Sequence, residues 1–489
     1  MKKVWAFDLG ASNGRLMLSS FDGRYLEIEE IHRFPNKPIQ LTDRYYWDIL
    51  HIFQEMKVGI TKSLQKGHTD VVSLAVDTWG VDFGLLSSSG ELLSNPYSYR
   101  DPLHSEGMEG ILEKITREEL YSRSGIEPSS INTICQLYGM KIRRPDLIEQ
   151  ADTLLFTPNL INYFFSGVKA NEFTISTTSQ LYHFKNKNWD FELLEKLNIP
   201  AKMFNEITKP GTILGSTLES INKELRMNPV KVINVAGHDT ASALAALPMD
   251  NPNAAFMSCG TWVLMGVKVQ EPIASNQALS WGFTNEGTID QEYRLQKNNM
   301  GLWLMQQCKT VWERDGDSLS YEEESVLIKK ARPFTSFINP DDPTFLHPKN
   351  MPAQIQEYCR RTGQKPPETK GEILRCILES LTLKYRWVLE KLEHLTGTSI
   401  EEINMGGGGI QNQILCQFTA NATKKKVQAG PIEASAIGNS LGQLLALGEI
   451  ANIQEAREIV RRSFSTKVYE PKDQLTWDQA YERFLQNVN

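Results

Sequence analysis

Hydrophobic and polar positions alternate along the first eighty residues in a pattern that predicts discrete elements. Val4, Trp5, Ala6 and Phe7 form a short apolar run that stops at Asp8-Leu9-Gly10. A second run, 15–21, ends at Asp22-Gly23, a strong hairpin-turn dipeptide. Residues 25–34 follow, β-rich, with Leu26 and Ile28 alternating with charged positions. Asp48 is placed to cap a helix, because Ile49, Phe53, Met56, Ile60 and Leu64 then recur at helical spacing. A buried strand, 71–76, ends at Asp77-Thr78-Trp79-Gly80. The predicted order is β-β-β-α-β.

That order decides how Gly10-Ala11-Ser12-Asn13-Gly14 is read. The pattern G-x-S-x-G matches a hydrolase nucleophile elbow, but an elbow needs a helix directly after its serine. Here a strand and a hairpin turn follow, so Ser12 reads as a turn residue facing an anion. The second half of the chain echoes the first. Residues 254–266, "AAFMSCGTWVLMG", again run apolar, small polar turn, apolar, and Gly260 lies 250 residues after Gly10. Either two hairpins look alike by accident, or an α/β unit is duplicated and each half offers a glycine turn to one ligand. Residues 101–230 are rich in helix and loop. The stretch 310–370 is polar and proline-bearing. Both read as insertions that shape a pocket or lid, or as long surface connections.

Bulk properties narrow the partners. A chain of 489 residues exceeds one comfortable core, which predicts two domains, 1–246 and 247–489. The net charge of −7 argues against nucleic-acid and anionic-membrane partners, which favour a basic face. No apolar run approaches bilayer length, and the first stops at Asp8, too early for a signal peptide. Six scattered cysteines without a CxxC predict free thiols in a reducing cytoplasm. Eight scattered histidines predict no structural zinc site.

Three further stretches carry candidate chemistry. "NMGGGGIQN", 404–412, lets backbone approach a flat or charged ligand, or serves as a hinge; its place between a strand-like segment and the helix predicted from Gln413 favours the ligand. "VAGHDT", 235–240, puts Asp239 at a helix start, as a plain cap or as a carboxylate at a cleft mouth. Asp8 beside a phosphate turn would be repulsive without a cation, and useful with Mg2+ between them. "PIEASAIGNSLG", 431–442, is a small-residue helix with Gly438 and Gly442 at i and i+4, suited to a close helix crossing or to local packing. Asn298 and Asn299 precede an apolar helix that carries Gln306. Two phosphate turns, a nucleoside turn, a base and a metal-bridging carboxylate are the parts of a phosphotransferase.

The residues 7–15, 77–83, 238–243, 260–262, 300–304 and 430–435, in that order, resemble the FGGY carbohydrate kinases, relatives of actin, hexokinase and the Hsp70 ATPase. The resemblance runs from about residue 4 to about residue 450. It implies an α/β fold of two RNase H-like domains with a central interdomain cleft, and ATP-dependent phosphorylation of a ketose hydroxyl. It implies that Ala11, Ser12, Asn13, Gly14 and Arg15 hold ATP phosphates with Thr261, and that Gln306 and Gly408 line the nucleotide site. Gly80, His238, Asp239, Thr240 and Asn298 would contact the sugar. Asp239 would be the proton acceptor, and Asp8 would organise Mg2+ through water. Cys259 and Asn13 stand where relatives commonly carry serine; both keep their backbone N–H donors. A soluble monomer or weak homodimer is expected.

Overall fold

A computed structural model of the chain describes residues 1–346 and 348–488. The elements begin as the polarity pattern predicts, with β1 (Lys2–Leu9), β2 (Asn13–Phe21) and β3 (Leu26–Pro35). Two three-residue strands, Ile39–Leu41 and Arg44–Tyr46, intervene before α1 (Ile49–Gln65) and β4 (Val71–Thr78). The Asp48 side chain caps α1 by accepting the His51 N–H at 3.1 Å. β5 (Thr212–Ser216), β6 (Lys231–Asn234) and α2 (Asp239–Ala246) follow. The later half carries β7 (Ala254–Cys259), β8 (Trp262–Val269), β9 (Thr284–Gly287) and β10 (Tyr293–Met300). Then come α3 (Trp303–Arg314), β11 (Glu402–Gly406), α4 (Gln413–Thr423), β12 (Lys426–Ala429), α5 (Ala434–Ala446) and β13 (Lys467–Tyr469).

The chain forms two compact units: 1–248 with 268–295 and 433–464, and 249–267 with 296–432 and 465–489. Residues 433–464 thus pack with the first of these units. The apolar face of α5 is the reason. Ile437, Leu441 and Leu444 are buried with Val4, Phe21, Leu26 and Ala243 in one cluster of the first unit. Each of the larger side chains contributes roughly 1.5–3 kcal/mol by leaving water.

The first unit's sheet has the order β5-β6-β4-β1-β2-β3, with β1 parallel to β4 and antiparallel to β2. The central strand β1 is covered on both faces, so Val4 through Leu9 are all buried. The seven-stranded sheet of the later half has the order β9-β10-β8-β7-β11-β12-β13, with β7 antiparallel to β8 and parallel to β11. Each sheet thus places a hairpin beside a parallel strand, and the expected duplication is present in the topology. Among the described residues no helix is long and apolar enough to cross a membrane.

A polar seam ties α5 to the strands of the first unit. Asn439 Nδ2 donates to Asp77 Oδ2 at 2.7 Å, and Gln443 Nε2 donates to Trp5 O and Asn439 Oδ1, both at 2.9 Å. Ser73 Oγ donates to Gln443 Oε1 at 2.7 Å. Ser19 and Ser440 share a hydroxyl hydrogen bond of 2.6 Å. Buried amides that are satisfied in this way fix one register of helix on sheet. Gly438 lets α5 approach closely: a Cβ there would lie 1.7 Å from Ser242 O, on the backbone of α2. Both helices of this crossing belong to the first unit.

Candidate active site

The first unit gathers carboxylates at the carboxyl ends of its parallel strands, the edge where open α/β sheets bind ligands. The β1–β4 register pairs Asp8 with Asp77, and the β1–β2 register sets Arg15 opposite Asp8. The Arg15 guanidinium bridges the carboxylates of Asp8 and Glu433. Burial opposes its charge, but Asp8 and Glu433 together hold its pKa above the usual value. Asp77 is fully buried; its Oδ1 has no hydrogen-bond partner among the described residues. Burial first, and Asp8 second, push its carboxyl well above the usual range.

The turn between β1 and β2 is held from within and from the side. Gly10 N–H donates to Asn13 O at 2.9 Å, Asn36 N–H to Ser12 O at 3.0 Å, and Asn36 Nδ2 to Gly10 O at 2.7 Å. The carbonyls of Gly10, Ser12 and Asn13 are thereby occupied, while the amides of Ala11 and Ser12 have no acceptor among the described residues. Free amides in a fixed turn form a donor set for an anion. The Asn13 side chain is also engaged, its Oδ1 accepting from Arg33 at 3.1 Å. Gly14 is required by packing: a Cβ there would come within 2.3 Å of the Phe34 ring. Because β2 and not a helix follows, Ser12 sits in no nucleophile elbow.

Asp239 is the first residue of α2 and does not cap it; His238 is the N-cap and makes no side-chain capping bond. The half-buried Asp239 carboxylate accepts Thr240 Oγ1–H at 3.0 Å, and its Oδ1 lies 3.4 Å from His238 Nε2. Burial pushes this carboxyl up, His238 pulls it back, and Asp8 adds to the rise. The loop is stitched to the sheet by Thr78 N–H donating to Gly237 O at 2.9 Å, and Gly237 N–H donates to the buried Glu172 carboxylate at 2.9 Å.

Gly80 stands where a Cβ would meet Thr178 at 3.4 Å. The next residue, Val81, has φ +70°, a strained value for a β-branched side chain. Two anchors hold this loop. Val81 N–H donates to Thr178 Oγ1 at 3.1 Å, and buried Asp82 accepts from Trp47, Trp79, the Tyr99 N–H and Gln136. Burial outweighs these four bonds and lifts the Asp82 pKa to about 6.

In the second unit the β7–β8 hairpin is pinned to the start of α3. Gly301 and Leu302 N–H donate to Thr261 O and Gly260 O, both at 3.1 Å. A Cβ at Gly301 would lie 2.8 Å from Thr261 O. Thr261 Oγ1 donates to Gln306 Oε1 at 3.3 Å, so two residues assigned to the nucleotide meet. The glycine run serves several ends at once. Gly407 has φ +87° and Gly409 packs on Cys259, whereas nothing lies within 4 Å of a Cβ at Gly408, which is exposed. The α4 N-terminus is occupied by its own cap, with Asn412 Oδ1 accepting Leu415 N–H at 3.0 Å. Asn298 is exposed, whereas Asn299 is buried and donates to Val263 O and Lys297 O. Asn298 is thus the exposed one of the pair.

The sequence reading missed the roles of Asp77, Asp82, Glu286, Arg294 and Glu433. Asp77 had a visible signal, because like Asp8 it ends a buried apolar run. Glu286 and Arg294 had none; they sit in ordinary strand alternation. Among the described residues no group of three or more His, Cys, Asp or Glu is arranged as a metal cage. Mg2+ is usually held by one or two carboxylates, with waters and substrate phosphates completing its shell. The Asp8 carboxylate beside the orphaned Asp77 Oδ1 fits that requirement.

Comparison with known proteins agrees with this geometry. The model of the N-terminal domain of the FGGY family of carbohydrate kinases matches residues 4–246, and that of the C-terminal domain matches 255–447. The chain belongs to the FGGY family of carbohydrate kinases. A rhamnulokinase of Bacteroides thetaiotaomicron is 41% identical over 483 residues, covering 99% of both chains. One from Halalkalibacterium halodurans is 39% identical, covering 96% of this chain and 98% of the other. Among solved structures, a ligand-bound xylulose kinase from Lactobacillus acidophilus superposes with a TM-score of 0.83 at 16% identity, covering 99% and 97% of the two chains. Plasmodium falciparum glycerol kinase with ADP superposes with a TM-score of 0.80 at 14% identity, covering 99% and 98%. Like those two, this chain has the two-domain FGGY kinase fold.

Proposed function

We propose that this kinase transfers the γ-phosphoryl group of MgATP to the 1-hydroxyl of L-rhamnulose. The observation that carries the chemistry is Asp239, a half-buried carboxylate at a helix start that its own helix does not use. The relatives named rhamnulokinase, 36–41% identical along nearly the whole chain, support the choice of sugar. So do the stretches 77–83 and 238–243.

Asp239 accepts the proton of the attacking hydroxyl, and its raised pKa suits that task. Thr240 orients the carboxylate. His238, Gly80 and Asn298 offer contacts to the sugar. The turn 11–15 offers amides to the phosphates, with Arg15 held at its edge by Asp8 and Glu433. Thr261, Gln306 and Gly408 are the nucleotide contacts of the second unit. Asp8 is the residue to hold Mg2+ through water, and the cation supplies neutralisation of charge on the transferring phosphates. Six buried, unpaired thiols suit a reducing cytoplasm.

A coupled ADP-release assay over L-rhamnulose, L-fuculose and D- and L-xylulose, with the phosphate position of the product determined, tests this reading. L-Rhamnulose is expected to give the highest kcat/KM, with the product phosphorylated at O1. Faster turnover of another ketose would reassign the substrate. Asp239→Ala should keep the fold and ATP affinity but lower kcat by roughly 10²- to 10⁴-fold. Unchanged turnover would reject Asp239 as the base.

A further inference from the structure

Behind His238 lies a buried ion pair that none of these steps uses. Arg294 is fully buried and donates to Glu286 Oε2 and to Gly287 O. Its guanidinium nitrogen lies 2.7 Å from His238 Nδ1, and Glu286 Oε2 lies 3.1 Å from the same ring nitrogen. On the far side of the ring, Nε2 is 3.4 Å from Asp239 Oδ1. A buried pair of this kind adds little net stability. Its geometry, however, decides where the ring carries its proton.

A neutral His238 that accepts from Arg294 at Nδ1 must carry its hydrogen on Nε2. A charged ring donates Nδ1–H to Glu286 and carries Nε2–H as well. The remaining state, Nδ1–H with a bare Nε2, gives up the guanidinium's hydrogen bond as the charged ring does, but differs from it in turning a lone pair toward the Asp239 carboxylate 3.4 Å away. Both permitted states present Nε2–H.

Building on the assignment of Asp239 as base, we propose that Glu286 and Arg294 are positioning residues for phosphoryl transfer. They hold His238 as a fixed Nε2–H donor beside Asp239, which steadies the carboxylate and makes the histidine's contact with the sugar a donated one.

The test is Glu286→Gln, which removes the charge and keeps the shape, made alone and together with His238→Gln. Alone, it should lower kcat roughly 10- to 100-fold, by analogy with the loss of hydrogen-bond partners behind metal-bound histidines, and leave the KM for MgATP within about twofold. In the His238→Gln background the same change should cost less than about twofold, because it acts through a ring no longer present. Equal losses in both backgrounds, or an unchanged kcat, overturn the proposal. Should Glu286→Gln fail to fold by circular dichroism, the wild-type enzyme still decides. Imidazole 15N shifts of His238, assigned by difference from His238→Gln, should show a protonated Nε2, and a bare Nε2 refutes the inference. Asp239→Ala in the same assay separates the two readings. If it retains turnover, the base assignment fails; if it is inactive while Glu286→Gln is unaffected, only the positioning role fails.

Discussion

Gly438→Ala places a methyl group where α5 crosses α2. The new Cβ would lie 1.7 Å from Ser242 O and 2.4 Å from Ser242 C, both backbone atoms with no rotamer to escape into. Relieving the contact to about 3 Å requires roughly 1.3 Å of separation between the helices. Ser242 lies on α2 three residues after Asp239, so the shift reaches the base. Overpacking typically costs about 1–3 kcal/mol, offset by up to roughly 1 kcal/mol from the better helix propensity of alanine. The fold should therefore survive with a lowered Tm. Catalysis should suffer more, because about 1 Å of misplacement at a reacting group can cost roughly 100-fold. The comparison variant is Gly442→Ala, whose Cβ meets only side chains, Val235 at 3.1 Å and Ile289 at 3.4 Å; it should lose less than about tenfold. ADP release at saturating sugar, with Tm measured alongside, reads both. A Gly438→Ala enzyme with near-wild-type kcat would show that α5 does not set the position of Asp239.

Two other changes probe separate parts of the site. The Asp82 pKa of about 6 lies above its ordinary 3.8, so proton uptake on acidification favours the folded state. The stabilisation should grow as pH falls through 6, approach a limit of about 3 kcal/mol below pH 4, and vanish as pH rises above 7. Asp82→Asn removes it, so urea unfolding of the two proteins from pH 7.5 to 4.5 should show a difference that changes with pH; a constant difference contradicts the assignment. A Cβ at Gly408 meets no protein atom within 4 Å and the position needs no left-handed backbone, so in Gly408→Val Tm should hold while the KM for ATP rises by about tenfold or more. Unchanged nucleotide KM would remove Gly408 from the site.

Much of this architecture was legible because it is local. The apolar run closed by Asp8, the Asp22-Gly23 turn and the Asp48 cap each show themselves within a few residues, and all appear as predicted. The duplication was legible for the same reason, since each hairpin carries its own glycine turn. At Gly14 the packing reason for glycine is the Phe34 ring, which no turn rule contains. That Asn298 is exposed and Asn299 buried follows from which strand face is covered, which adjacent identical residues cannot reveal. The ties of Arg15 to Glu433 and of Trp5 to Gln443 span 418 and 438 residues, and no periodicity encodes them. The same holds for His238, whose partner Glu286 arrives from a strand with no motif of its own.

The seam between α5 and the first sheet bears on how the chain is made. Strands that emerge first from the ribosome must wait for amides at Asn439 and Gln443 before their buried edge is closed. At about 5–20 residues per second, the interval between residue 246 and residue 464 is roughly 10–40 s. Throughout that time the apolar surface around Val4, Phe21 and Leu26 lacks its cover. Nascent chains stalled before residue 433 should therefore be the species that holdase chaperones bind, and fragments ending near residue 246 should aggregate when expressed alone.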